Sequence, residues 1–251
     1  MTLQATKPRV PAPVRLTAPT ARRPPARRRH WLWLLADFPF AFAVPFVLAD
    51  TLNLNRDLFY GIYALAVAGF VAAWARHTGL TRRDLTRHWR WGVGLGLLAA
   101  AVMALTVLRT EDATDHPGGI ELLAAVLWRG VLYGAKDGVL LSVFPILAVF
   151  GAFAGARLRE RVVGKIAIGT IAMLASIGIT AVYHLGYSDF RSEKLRKPIV
   201  GDVIWSALAT LSPLGAPIAH IGLHVSAVVH SYDTDTFLPP HTAKGESPAN
   251  P

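Results

Sequence analysis

The sequence predicts an all-α fold, a polytopic transmembrane helix bundle of six to eight helices, on three observations. Hydrophobic residues make up 53% of the 251 before glycine is counted, against about 45–50% with glycine included in soluble domains. Charged residues are held to 17% and cluster between apolar runs, as loops between membrane spans do. The runs themselves are long enough to cross a hydrocarbon core of about 30 Å, which takes roughly 20 helical residues.

Taken in order, residues 1–30 contain six prolines and Lys7, Arg9, Arg15, Arg22, Arg23, Arg27, Arg28 and Arg29, with no acid. This arm has no apolar period and reads as a disordered cationic segment lying against anionic lipid. It carries most of the net charge of +10, so the remaining chain is nearly neutral and nucleic acid is excluded as its partner. Apolar runs follow at 31–50, 58–74, 91–108, 120–156, 162–187 and 200–229, giving a helical bundle over 31–229 and a polar tail, read as disordered, over 230–251. Asp37 and Pro39 interrupt the first run, which therefore reads as an uncleaved transmembrane helix rather than a signal peptide. The 120–156 run is too long for one ordinary crossing, and Gly134, Gly138 and Pro145 are the places where it is expected to bend or divide.

Charge then orients the chain. The arm and the loop holding Arg76, Arg82, Arg83, Arg87 and Arg90 are expected to be cytoplasmic, which makes this a multi-pass protein of the cell membrane with its N-terminus inside. The rule stops deciding after Ala156, because Arg157, Arg159, Arg161 and Lys165 precede the 162–187 run while Arg191, Lys194, Arg196 and Lys197 follow it. Cysteine is absent, which excludes disulfides, thiolate metal sites and a cysteine nucleophile.

Ionisable groups at membrane depth are costly, and each is a functional candidate. Here they are Asp37, Arg129, Lys136, Asp137, His184, His220 and His224. Four residues turn a helix by about 400°, so His220 and His224 share a face and both imidazoles can reach one divalent ion. His184, from another span, can supply a third nitrogen, and three histidines around Zn with an open fourth position make a water-activating site. The competing reading is that His220 and His224 each hydrogen-bond a neighbouring helix. Arg129 needs a carboxylate, carbonyls or a watery cavity, or else must snorkel to an interface.

With these residues placed, the chain resembles the CPBP intramembrane protease family, which includes type II CAAX prenyl endopeptidases and abortive-infection membrane proteins. The likeness spans about 58–229. It rests on His77-Thr-Gly-Leu-Thr-Arg-Arg-Asp-Leu followed by Trp91-Gly-Val-Gly-Leu-Gly, on Arg129-Gly130 as the end of a two-glutamate motif, on His184, and on His220 with His224. Ala124 and Ala125 stand where that family has its paired glutamates, Thr180 where it has phenylalanine, and His224 where it has Asn or Asp. The resemblance implies a metal-dependent endopeptidase cutting a prenylated or membrane-embedded peptide. His184, His220 and His224 would hold the ion, Arg129 would stabilise developing negative charge, and Asp137 or Glu121 would substitute for the lost carboxylates. Since alanine can neither accept a proton nor bind an ion, the alternative is an inactive member serving as a scaffold, immunity-like or lipid-binding protein. A proton-coupled transporter using the same His and Asp residues is a third class.

Overall fold

A computed structural model describes residues 26–233 and 237–239. The arm therefore lies outside the described residues through position 25, and so does most of the tail. Eight helices and no strand occur among the described residues. They are α1 (Arg27–Thr51), α2 (Arg56–Thr78), α3 (Arg82–Leu85), α4 (Trp89–Thr110), α5 (Gly119–Ala152), α6 (Val162–Leu185), α7 (Arg196–Leu211) and α8 (Gly215–His230). Five of them, α1, α2, α4, α5 and α6, are long and apolar enough to cross a membrane. The chain is an all-α integral membrane protein.

α5 is the axis of the bundle. In its most apolar window 72% of residues are buried, against 22–33% for the other four long helices. Its neighbours are α1, α2, α6, α7 and α8, and α8 packs along α4 on its other side. Of the two outcomes open for 120–156, one bent helix or two, the first is found. α5 runs unbroken through 34 residues, taking up its length with π-helical turns at Val126–Leu132 and Gly138–Val143. Pro145 follows the second of these within the helix, where its missing N–H falls beside an already widened turn. Gly130, Gly134 and Gly138 are places of close approach rather than breaks. A Cβ on each would strike Val225, His220 and Pro217 of α8 respectively. Small residues four apart let two helix backbones approach closely where no hydrophobic force drives them together.

Two further boundaries differ from the sequence reading. The 200–229 run is not one span but α7 and α8, separated at Ser212–Leu214, where Ser212 Oγ donates to Arg87 O at 3.0 Å. α1 begins before Trp31 and includes Arg27, Arg28, Arg29 and His30. His30 is buried. It packs edge-on against Trp74, whose indole N–H donates to His30 Nδ1 at 3.3 Å, and it lies over Gly151.

The contacts sort the helix ends into two groups. At one end Arg27 donates to Ala154 O, Arg29 to His77 O, and Trp33 to His77 Nδ1. At the other, Arg56 donates to Tyr232 O, Thr114 N to His230 O, and Ser188 N to Asp50 Oδ1. α6 therefore starts at the arm-side end and finishes at the far end. Two of the four far-end cations that made the charge rule indecisive meet carboxylates there: Arg191 with Asp50 at 3.2 Å, and Lys194 with Asp189 at 3.4 Å.

Helix α3 is short and held by its cap. Thr81 N and Oγ1 donate to Asp84 Oδ2 at 2.9 and 2.6 Å, and Asp84 N returns a bond to Thr81 Oγ1. The Thr81 hydroxyl and then its amide hold the Asp84 carboxyl below the usual carboxylate range. A carboxyl whose folded value is lowered adds stability above its unfolded value, near 3.8, and loses it as pH falls through the folded value. Thr81→Ala is expected to weaken this turn by about 1 kcal/mol at neutral pH, read as faster amide exchange at Asp84 and Leu85. The difference from wild type should shrink below about pH 4.

Candidate functional site

Four helices deliver polar groups to one buried centre. α5 carries Tyr133, Lys136 and Asp137, α8 carries His220 and His224, α6 carries Tyr183 and His184, and α2 carries Tyr60 and Tyr63. The glycine contacts between α5 and α8 bring Asp137 close to His224, with Asp137 Oδ2 3.7 Å from His224 Nε2. Asp137 Oδ1 accepts from Tyr63 Oη at 3.2 Å and lies 3.7 Å from Lys136 Nζ. Both side chains are under 10% exposed.

Lys136 is held in an unusual way. Its ammonium lies 3.1 Å from the Tyr63 ring centroid and 3.5 Å from that of Tyr133, with Tyr60 and Phe59 about 6 Å away. Nζ has no hydrogen-bond partner among the described residues, so ring faces and one carboxylate compensate its charge. Desolvation is what makes such cation–π contacts strong. Beyond Asp137, the phenols of Tyr133, Tyr183 and Tyr187 are linked through Tyr183 at 2.9 Å each.

The histidines have separate engagements. His224 Nδ1 lies 2.7 Å from Phe237 O, and since a carbonyl only accepts, Nδ1 carries the hydrogen and Nε2 faces Asp137. His220 is tilted against Trp205 at 4.0 Å and stacks on His224 at 6.3 Å. His184 Nδ1 is 2.8 Å from Thr180 O, one turn back on its own helix, and its ring packs against Tyr183 and Phe190. Among the described residues no three His, Cys, Asp or Glu side chains are grouped to hold one ion. In this arrangement His184, His220 and His224 do not converge as one donor set. His224 has Nδ1 on Phe237 O, His184 has Nδ1 on its own backbone, and His220 lies against an indole.

Arg129 stands apart from this centre. It donates through Nε and Nη2 to the two carboxyl oxygens of Asp57 at 2.9 and 2.8 Å and lies 4.9 Å over the Tyr232 ring. This bidentate pair closes the far end of α5 onto the start of α2. The cation that faces Asp137 is Lys136, not Arg129. Glu121 and Ala124 are exposed, and only Ala125 of the alanine pair is buried.

A second polar cluster was not read from sequence. Asp202 on α7 is fully buried and meets Ser142 Oγ at 3.2 Å and Ser176 Oγ at 3.0 Å, while Ser176 Oγ is 2.7 Å from Leu141 O. Leu141 belongs to a π-helical turn, and its carbonyl accepts from Ser176 Oγ. Nothing in the spacing of Asp202 from Ser142 and Ser176 announces that three helices bring them together.

No protein-family model and no solved structure matches the chain. It is 31% identical over 177 residues to an apolipoprotein N-acyltransferase of Allorhizobium ampelinum, an alignment covering 66% of this chain and 30% of that protein. The chain thus spans less than a third of that relative's length.

Proposed function

We propose that this is a non-hydrolytic integral membrane protein with a CAAX-protease-like layout, serving as a membrane scaffold or lipid-binding protein. In this reading a self-neutralised Lys136–Asp137–His224 cluster occupies the place of a hydrolytic centre. The observation that carries it is the position of Lys136 Nζ. It is wedged between the Tyr63 and Tyr133 rings and paired with Asp137, so the protein's own cation occupies the space beside the carboxylate where an attacking water would sit. The layout reading draws on the order Arg129-Gly130, His184, His220 and His224 on three packed helices. The concentration of arginines at the arm-side end supports a cytoplasmic arm in the cell membrane.

The test is peptide cleavage by the purified full chain in lipid nanodiscs, with a prenylated fluorogenic peptide and with zinc added or chelated. Turnover should not exceed that of His224→Ala under either condition. Cleavage that vanishes in His224→Ala would overturn the reading. A second reading, transfer of an acyl group to a nitrogen of an apolipoprotein, is favoured by the 31% identity to a protein of that name. It requires His224 to release Phe237 O or Asp137 and act as a base. An apolipoprotein peptide gaining one acyl mass on its amine nitrogen in the same nanodiscs, as a phospholipid ester bond breaks and an equal amount of lysophospholipid is released, with both lost in His224→Ala, would establish it in place of the first.

A further inference from the structure

A cavity of about 640 Å³ lies at the arm-side end, remote from the polar centre and independent of what that centre does. It is enclosed by the start of α4, the end of α5, the 157–168 segment and the end of α7. Its size is that of an ordinary small-molecule site. The inner wall is apolar, made by Leu95, Leu147, Phe150, Ile168, Ala209 and Pro213. Arg87, Arg159 and Lys165 line it as well, with His88 and a single acid, Asp84.

Asp84 faces Arg87 electrostatically, and the other two cations are not balanced from within. Asp84 already accepts both Thr81 donors, and neither Arg159 nor Lys165 has an ion-pair partner among the described residues. Lys165 sits in the first turn of α6, a helix of 24 residues that starts at Val162 with no side-chain cap and no acid in its first turn. Cations near a helix N-terminus oppose its dipole, so Lys165 adds unfavourable charge that an anion in the cavity would relieve. At the mouth, Trp91 and Leu211 are exposed, at 70% and 57%, and both line the cavity. Indole beside aliphatic surface belongs at the headgroup level of a bilayer.

We infer that this cavity binds the phosphate-bearing headgroup of an anionic membrane phospholipid, with Arg87, Arg159 and Lys165 on the phosphate and the acyl chains running out along Trp91 and Leu211. The chain's own arm is the wrong occupant, because its Lys and Arg residues carry the same sign as the rim. A soluble phosphate compound matches the rim but leaves the apolar wall and the exposed mouth without a partner.

The test is native mass spectrometry of the full chain in detergent, titrated with phosphatidylglycerol or phosphatidylcholine. Arg159→Gln with Lys165→Gln should lower phosphatidylglycerol retention by about tenfold or more and leave phosphatidylcholine retention unchanged. Arg82→Gln with Arg83→Gln removes equal charge from the same end outside the cavity and should leave phosphatidylglycerol retention within about twofold. Equal losses in the two double variants would reduce the effect to general surface charge and overturn the site. Displacement of phosphatidylglycerol by equimolar inorganic phosphate would overturn the lipid assignment. All four positions are exposed or half-buried, and matching unfolding midpoints will confirm that the variants fold.

Discussion

Lys136→Met should destabilise the protein by about 3–5 kcal/mol, whereas Lys136→Met with Asp137→Leu should return to within about 1–2 kcal/mol of wild type. The asymmetry follows from burial. Lys136 and Asp137 are both under 10% exposed, and at 3.7 Å each is the main charge compensating the other. Removing the ammonium leaves Asp137 with the Tyr63 hydroxyl and the more distant His224 nitrogen, too little to replace the hydration that the carboxylate gave up. Removing both charges abolishes the desolvation cost together with the attraction, and the rings of Tyr63 and Tyr133 accept a methionine as readily as an ammonium. The measurement is a double-mutant cycle on reversible unfolding in mixed micelles, where the pair should couple by several kcal/mol. Single and double variants equally unstable would mean that the two charges do not act on each other.

The same cluster marks how far the sequence could be read. His220 and His224 on one face follow from four-residue spacing, which holds because α8 is a regular helix through both. On an ideal helix Lys136, seven residues on, would return almost to the face of Arg129. Arg129 instead lies inside a π-helical turn, whose wider winding alters the phase for every residue after it. Arg129 meets Asp57, 72 positions earlier in the chain, and Asp137 meets His224. No spacing rule reveals either partner, because both depend on which helices neighbour α5. The glycines misled for a different reason. In water a helical glycine is a weakness, so Gly134 and Gly138 read as places to bend or divide, whereas between membrane helices the missing Cβ is what lets α8 approach. Ser212-Pro213 was passed over because hydropathy continues across it, although the chain turns there to start α8.

Gly138 is where that close approach has the least slack. A Cβ there would lie 2.6 Å from Pro217 Cα and 2.8 Å from Pro217 N. These are backbone atoms at the first turn of α8 and cannot rotate aside. Gly138→Ala should therefore cost about 1–3 kcal/mol by overpacking, and Gly138→Leu should prevent the folded protein from accumulating. Gly69→Ala and Gly94→Ala provide the opposite sign. Both positions are helical and have nothing within 4 Å of a new Cβ, so the gain in helix propensity, up to about 1 kcal/mol, stands alone. Unfolding midpoints of the three alanine variants should then fall on both sides of wild type. If Gly138→Ala were neutral, α5 and α8 would not be in backbone contact, and the approach that sets Asp137 beside His224 would lose its cause. Because Gly138 directly follows Asp137, the variant should also loosen the histidine, read as a change in the His224 ring resonances with Tyr133, one turn earlier on α5, as the reporter on the other side.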